Sequence, residues 1–486
     1  MFYDLLEISA NRSPGKLAIV DRGLVYSYEA LLSLVSDRER LLRHEGVGHL
    51  DTVAIQLPNS AEWIATFLAA DRIGATVLPL DPSLKAQEVE SYCIRAGVEA
   101  LVRQSSPTPG TDEARPPMIS SVPQFDIVRL AANPGRRPHD GEHGQLACQE
   151  PRLLFLSSGS TGLPKIVPRA VAQADAHRRL SQAGLPRIPT DVVLAVLPFC
   201  HTLGLLRVVV VTLAEGATLV VEQYSPRISA ATIARSRVSV FMATPLMLRL
   251  LVETEFHPVP DFSSLRVVGS GGAALSAAAA RAFEGKFGAP VESFYGSAET
   301  GPIAHARATE RTEEAGWVGR PYDAVRVEIW DSSGSPQEAG VPGQIAVRSP
   351  AAATSYLDEP DATERTFRRG YVLPGDRGCL KRDGHLFVLA RERPMINVAG
   401  KKVSPAEVEA CLLSHPGVAE AFVVAERAES GVDRVKALVV PTKPVTVSEL
   451  REFCRQRLAD FKVPRQILLV KDVRRGPLGK PRLGES

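Results

Sequence analysis

Residues 51–81 read "DTVAIQLPNSAEWIATFLAADRIGATVLPLD", two short apolar runs flanking a longer stretch with helical spacing. The pattern predicts a strand at 53–57, a helix at 61–73 and a strand at 76–80. Strand, helix and strand in that order make a βαβ unit and put the strands in a parallel sheet. Residues 104–150 are rich in Pro, Gly and charge and read as loop and irregular surface. From 151 the alternation resumes. "VVLAVLP", "ATLVVE", "VSVFMATP", "LRVVGSGG" and "VESFYGS" read as strands separated by segments of helix length. From about 324 the texture changes to short strands with turns, "VRVEIWDSSG" and "GQIAVRS", the mark of a small β subdomain. After "GHLFVLARERP" comes a compact α+β pattern, with helices at "SPAEVEACLLSH" and "VSELREFCRQRLAD" and strands at "VAEAFVVAE" and "VKALVVP". The boundary falls at Arg393-Pro394, because proline restrains its neighbour and stops both helix and central strand. The expectation is an α/β fold with a domain at 1–392 and a smaller α+β domain at 393–486.

A chain of 486 residues is long for one domain, which agrees with that division. The net charge of +2, from 57 basic and 55 acidic residues, gives no signal for a nucleic-acid partner. The start, "MFYDLLEISANRSPGKLAIV", lacks the basic and apolar segments of a signal peptide, and no uncharged run reaches the length of a membrane span. The six cysteines include no C-x-x-C pair, which fits reduced thiols and disfavours a zinc site. These features predict a cytoplasmic protein with neither nucleic acid nor membrane as partner; a monomer or homodimer is expected, a point on which these features do not bear.

Six stretches offer candidate chemistry. In "LLFLSSGSTGLPKIVPRA" an apolar strand breaks at Ser157, Ser158, Gly159, Ser160, Thr161 and Gly162 and then delivers Lys165. Small residues leave backbone N–H groups free to converge on an anion, so this reads as a phosphate cradle, although its spacing is not that of a Walker A loop. "SFYGSAETG" places Tyr295, Gly296 and Glu299 at a strand end, where a carboxylate suits Mg²⁺ on a triphosphate. "YVLPGDRGCL" puts Asp376 in a Gly-flanked turn, where it can accept both hydroxyls of a ribose. Gly269, Gly271 and Ala274, with Glu292 beyond, offer a competing dinucleotide fingerprint, but Glu292 begins its strand where the ribose acid should end one. His139, Asp140, Glu142 and His143 lie in a Pro/Gly loop and read as solvated surface. Cys200-His201 invites a thiol-nucleophile reading, but sequence neighbours normally point apart, so Cys200 is expected in a packed wall.

Taken in order, "SSGSTGLPK", "LPFCHTLG", "SFYGSAETG", "PGDRG", "RERPMINVAGKKVSPAEVE" and a terminal "PLGK" resemble the acyl-adenylate-forming superfamily of acyl- and aryl-CoA synthetases, aryl-acid AMP ligases and peptide-synthetase adenylation domains. The resemblance covers nearly the whole chain, and "TGLPKIVPR" and "INVAG" are most similar to the aryl-acid branch. It implies a large multilayer N-terminal domain and a small mobile C-terminal domain hinged at Arg393. It also implies that the 157–165 loop covers the outer phosphates of ATP and that Tyr295 packs on adenine beside Gly271 and Gly272. Glu299 would take Mg²⁺, Asp376 the ribose hydroxyls and Arg391 the ribose or a phosphate. Lys480 would be the catalytic lysine, reaching the substrate carboxylate and the α-phosphate. His201 would pack near that carboxylate, in a pocket built from Phe199, Thr202, Gly269 and Gly271.

The chain departs from the usual pattern at Ala298, Pro374, Ile166 and Arg393, where Thr, Thr, Gly, and Lys or Asp are common. Loss of the hydroxyl at 298 bears on the α-phosphate. Cys200 stands where amino-acid-activating domains carry an Asp for the substrate ammonium, and Thr202 where salicylate-type enzymes carry Asn. An aromatic or medium-chain acid without an ortho-hydroxyl is therefore expected. The acceptor expected by the resemblance is a pantetheine thiol, of CoA or of an acyl or aryl carrier protein. A non-thiol nucleophile such as an amine, or a degenerate nucleotide-binding protein without turnover, are the alternatives.

Overall fold

A computed structural model describes residues 2–105, 125–130, 151–157, 164–391, 395–427 and 432–470. The described residues form two compact units. The first takes Met1–Pro82, Cys93–Phe155 and Ile166–Arg391; the second takes Ser83–Tyr92, Leu156–Lys165 and Glu392–Ser486.

The first unit contains the βαβ motif read from the pattern. Its strands are Thr52–Gln56 and Thr76–Pro79, paired in parallel, and its helix is Ala61–Ile73. Local chemistry sets both helix ends: the Ser60 hydroxyl accepts from the Trp63 N–H, and Gly74 closes the helix at φ +88°. Most of this helix is buried, because its sequence is largely apolar and its buried Glu62 is paired with Arg38 at 2.6 Å. One departure from expectation lies in 104–150, where Phe125–Arg129 pairs antiparallel with Ala100–Gln104. Its apolar residues alternate over too few positions to stand out in a Pro/Gly-rich context.

The sheet that frames the site has nine strands, in the spatial order Arg320–Pro321, Gly301–Ala306, Val291–Ser297, Val267–Gly271, Val240–Ala243, Val192–Ala195, Thr218–Val221, Leu17–Asp21 and Leu24–Ser27. From Val291–Ser297 through Leu17–Asp21 neighbouring strands run parallel, and the edges are antiparallel. One face packs on a core holding Trp63, Phe67, Met242 and Phe294, and the other on Phe241, Phe283 and Phe287. Both faces are covered, which is why these strands read as continuous apolar runs. The expected β subdomain pairs Arg326–Trp330 with Gly343–Arg348, and Asp376–Leu380 with Leu386–Arg391.

The second unit pairs Val418–Arg427 with Asp433–Pro441 and the latter with Gln466–Leu469, next to the helices Pro405–Leu413 and Val447–Arg457. Thr446 and Glu449 form a capping box at the start of the last helix. The α/β class expected from the sequence is the class observed.

Candidate active site

In an open parallel sheet, ligands bind beyond the carboxyl ends of the strands, where no side chain of the strand itself blocks the approach. Val267–Gly271 ends there at Gly272, which adopts φ +83°. That conformation suits glycine because it has no Cβ to clash. The neighbouring Val291–Ser297, in register with Gly271 opposite Phe294, carries Tyr295 to the same end. The Tyr295 hydroxyl donates to Asp376 Oδ2 at 2.7 Å. Asp376 opens the strand Asp376–Leu380 directly after Gly375 at φ +79°, and it is buried. Two residues far apart in sequence are thereby brought together.

Glu299 sits on the turn after Tyr295. The Ser297 hydroxyl accepts from the N–H groups of Glu299, at 3.2 Å, and Thr300, at 3.1 Å, which fixes the turn. Tyr356 donates to Glu299 Oε1 at 3.0 Å. Beneath the turn lies Arg169, fully buried, which donates to the Ala298 carbonyl through Nη2, while Nε and Nη1 have no partner. Burial pushes its guanidinium down to about 10, against the opposing pull of Glu299.

Asn59 braces the segment before His201. Its Nδ2 donates to the Leu197 carbonyl at 2.8 Å and its Oδ1 accepts from the Phe199 N–H at 2.9 Å. Phe199 is fully buried, edge-on to Trp63 with centroids 5.5 Å apart. Cys200 is buried as expected and His201 is exposed, yet their side chains do not diverge. One ligand atom each of Asp81, Cys200 and His201 lies within 4.8 Å of the others, because the turn closed by the His201 N–H on the Pro198 carbonyl curls the backbone. Thr202 and then a π-helix, Leu203–Val210, follow. A side chain at Gly204 would run into the Pro198 carbonyl, so glycine lets the helix start against this turn.

Leu203 faces Gly271 across the layer: a Cβ on Gly271 would come within 3.1 Å of Leu203 Cδ2. At Gly269 it would meet Met242, and Phe294 Cε2 at 3.0 Å. The glycines therefore give way to side chains from neighbouring elements. Glu292, the acid of the competing dinucleotide reading, pairs instead with His305 at 2.7 Å.

Ser157 and Lys165 belong to the second unit, where the Ser157 N–H donates to the Lys165 carbonyl at 2.8 Å and joins the two ends of the loop. Ser158, Gly159, Ser160, Thr161, Gly162, Arg393 and Lys480 lie outside the described residues, as do His139, Asp140, Glu142 and His143. Arg391 is described only as backbone, the last residue of Leu386–Arg391. Asn59, Asp81, Arg169, Arg207 and Tyr356 were not singled out by sequence. Two had a signal: Arg169 ends "PKIVPR", and Arg207 is the lone charge in "LGLLRVVVVTLA".

The AMP-binding enzyme family model matches residues 6–357, and the model of the AMP-binding enzyme C-terminal domain matches 407–480. The chain belongs to the AMP-binding enzyme family. Relatives within it include pyochelin synthase PchD of Pseudomonas aeruginosa, 30% identical over 99% of this chain and 90% of the relative. A probable CoA ligase of Humulus lupulus is 28% identical over 98% and 94%. Among solved AMP-binding structures, o-succinylbenzoate CoA synthetase from Bacillus subtilis has a TM-score of 0.83 at 26% identity, covering 98% of this chain and 97% of that one. Amide bond synthetase McbA from Marinactinospora thermotolerans has a TM-score of 0.81 at 26% identity, covering 99% and 97%. The chain is an acyl-adenylate-forming ligase of this family. Among the described residues no helix is long and apolar enough to cross a membrane.

Proposed function

We propose that this ligase condenses an aromatic or medium-chain carboxylic acid with ATP, releasing pyrophosphate, and passes the acyl group to a pantetheine thiol of CoA or a carrier protein. The observation that carries the reading is the convergence of Tyr295, Asp376 and the Glu299 turn at the carboxyl end of the sheet. Support comes from the B. subtilis synthetase, which has been solved in complex with ATP and magnesium ion.

In the first step a carboxylate oxygen forms a bond to the α-phosphorus while the bond to the pyrophosphate oxygen breaks. Both reactants are anions, so catalysis rests on positioning and charge neutralisation. Tyr295 packs on adenine, and Asp376, oriented by the Tyr295 hydroxyl, accepts from the ribose. Ser157 to Gly162 and Lys165 take the outer phosphates. Lys480 bridges the acid carboxylate and the α-phosphate, and Arg391 holds ribose or phosphate. His201 orients the carboxylate at the mouth of a pocket walled by Thr202, Gly269 and Gly271, with Phe199 behind it. Glu299 suits Mg²⁺, which is commonly held by one or two carboxylates together with substrate phosphates, and the ion would neutralise charge on the leaving pyrophosphate. In the second step the thiol sulfur bonds the acyl carbon, AMP leaves with the electron pair, and the thiol proton passes to solvent. Residues 1–392 hold the substrates and 393–486, hinged at Arg393, supply Lys480.

The likeness to an amide bond synthetase favours a second acceptor, an amine attacking the same anhydride. Acid-dependent exchange of pyrophosphate into ATP, followed by AMP release on adding CoA or an amine, tests both. Exchange with at least one acid, lowered at least ~100-fold by Lys480→Ala, is the expected result. Absence of exchange across aryl, alkyl and amino acids overturns it.

A further inference from the structure

Asp81, Cys200 and His201 place one oxygen, one sulfur and one ring nitrogen within 4.8 Å of one another. Two anchors bring them together. Asp81 follows the strand Thr76–Pro79, which pairs in parallel with Thr52–Gln56, and Asn59 follows that neighbour. Through its bonds to the Leu197 carbonyl and the Phe199 N–H, Asn59 fastens the 197–199 segment beside these strand ends. The Pro198 carbonyl then accepts from the His201 N–H at 3.2 Å, and the turn so closed presents Cys200 and His201 to Asp81. Cys200 is 8% exposed, whereas His201 is exposed and Asp81 half-buried, so the cluster is open to solvent. No C-x-x-C pair announces it, because Asp81 is remote in sequence from Cys200-His201.

The distances decide between two chemistries. A catalytic triad bridges thiol and carboxylate through the two nitrogens of the imidazole, which sets sulfur and oxygen on opposite sides of the ring, roughly 7 Å apart. Here sulfur and oxygen lie within 4.8 Å, so the three donor atoms converge on one point. Convergence of that kind suits an ion. Around tetrahedral zinc, with bonds of about 2.0–2.3 Å, neighbouring donor atoms stand roughly 3.3–3.8 Å apart, and a closure of about 1 Å is within the reach of side-chain rotations. We propose that Asp81, Cys200 and His201 bind Zn²⁺, with a fourth position left for water. Thiolate and imidazole beside a carboxylate favour Zn²⁺ over Mg²⁺, which takes oxygen donors, so the Mg²⁺ of adenylation does not compete for this site. On binding, the Cys200 thiol releases its proton to solvent and the sulfur lone pair bonds the metal. The consequence for turnover rests on the adenylation reading above, in which His201 orients the carboxylate of the acid. Zinc takes the same ring, so the metal-loaded protein is inhibited.

The test titrates the full-length protein with Zn²⁺ against a chromogenic chelator, and with Co²⁺ as a spectroscopic stand-in, alongside Cys200→Ser and Asp81→Asn. The expected result is tight binding of Zn²⁺ and a thiolate-to-Co²⁺ absorption band in the near ultraviolet. The band is lost in Cys200→Ser, and Zn²⁺ affinity falls at least ~10-fold in each variant. Absence of binding, or binding that survives both substitutions unchanged, overturns the inference. Pyrophosphate exchange at saturating Mg²⁺ reads the consequence. Zn²⁺ is expected to lower exchange at least ~10-fold in competition with the acid, a chelator to restore it, and Cys200→Ser to exchange normally while resisting Zn²⁺. Equal inhibition of Cys200→Ser and the parent overturns the inference, because the metal then acts on another group. A protein silent in exchange that still binds Zn²⁺ through Cys200 loses the adenylation reading and keeps the metal site. One that exchanges and binds no Zn²⁺ loses the metal site alone.

Discussion

The hydroxyl of Tyr295 donates to Asp376 Oδ2 at 2.7 Å, tying the end of the parallel sheet to the first residue of a strand in the β subdomain. The bond aims a buried carboxylate, and in the function proposed above the two residues would hold the nucleotide as one unit. Tyr295→Phe keeps the ring and removes the bond. The expected outcome is a KM for ATP raised about tenfold with a smaller change in kcat, whereas Asp376→Ala lowers kcat/KM by at least ~100-fold. Equal effects of the two substitutions in steady-state exchange would show that the hydroxyl has a role of its own.

Glu299 and Tyr356 separate in the same way. Glu299→Gln removes the negative charge and keeps the shape, and is expected to lower exchange at least ~100-fold while shifting the Mg²⁺ requirement upward. Tyr356→Phe removes only the donor to Oε1 and is expected to cost less than ~10-fold. Mg²⁺ titrations of both variants check this.

His177 gives a pH dependence. It is buried with Nδ1 unpartnered, and burial first, then the charges of Arg169 and Arg207, hold its imidazole well below the usual histidine range. The unfolded chain therefore binds a proton that the folded one refuses. Stability is fully present above about pH 6.5 and falls as the pH drops below it, by at most about 1.4 kcal/mol per pH unit from this group. Melting temperatures between about pH 5 and 7.5 are expected to fall less steeply in His177→Leu than in the parent.

Lys462 donates to Glu88 at 2.6 Å and Glu407 at 2.7 Å within the second unit, with all three side chains buried. Burial opposes the charge on Lys462, but Glu407 and Glu88 outweigh it and raise its pKa. Burial also holds the Glu407 carboxyl above its usual range, against the pull of Lys462. Lys462→Met leaves two buried carboxylates facing each other, an expected loss of about 3–5 kcal/mol near neutral pH. A carboxyl raised on folding contributes stability below its unfolded pKa and loses it as the pH rises, so the deficit is expected to shrink toward about pH 5. Denaturant melts at two pH values check it.

The strands and helices that were legible share one property: their apolar period is strong and their ends carry local signals. The helix at Ala61–Ile73 shows both, with Ser60 before it and Gly74 after it. Phe125–Arg129 was missed because an edge strand in a polar context leaves a weak period. Within the site, Tyr295, Glu299 and Asp376 announced themselves through glycine-bounded turns. Asn59, Asp81 and Tyr356 did not, since each acts on a segment distant in sequence and has no local pattern of its own.

What the sequence determined by itself is therefore the class of fold, the order of its parts and the family, because periodicity, turn residues and ordered motifs are local and survive in one dimension. Tertiary structure alone decided which side chains meet: the Tyr295 hydroxyl on Asp376, Arg169 beneath the Glu299 turn, and Arg207 over Phe294 with a buried nitrogen unpartnered. The physical reason is that hydrogen bonding and the cost of a buried charge depend on distances and burial, which arise when remote segments pack.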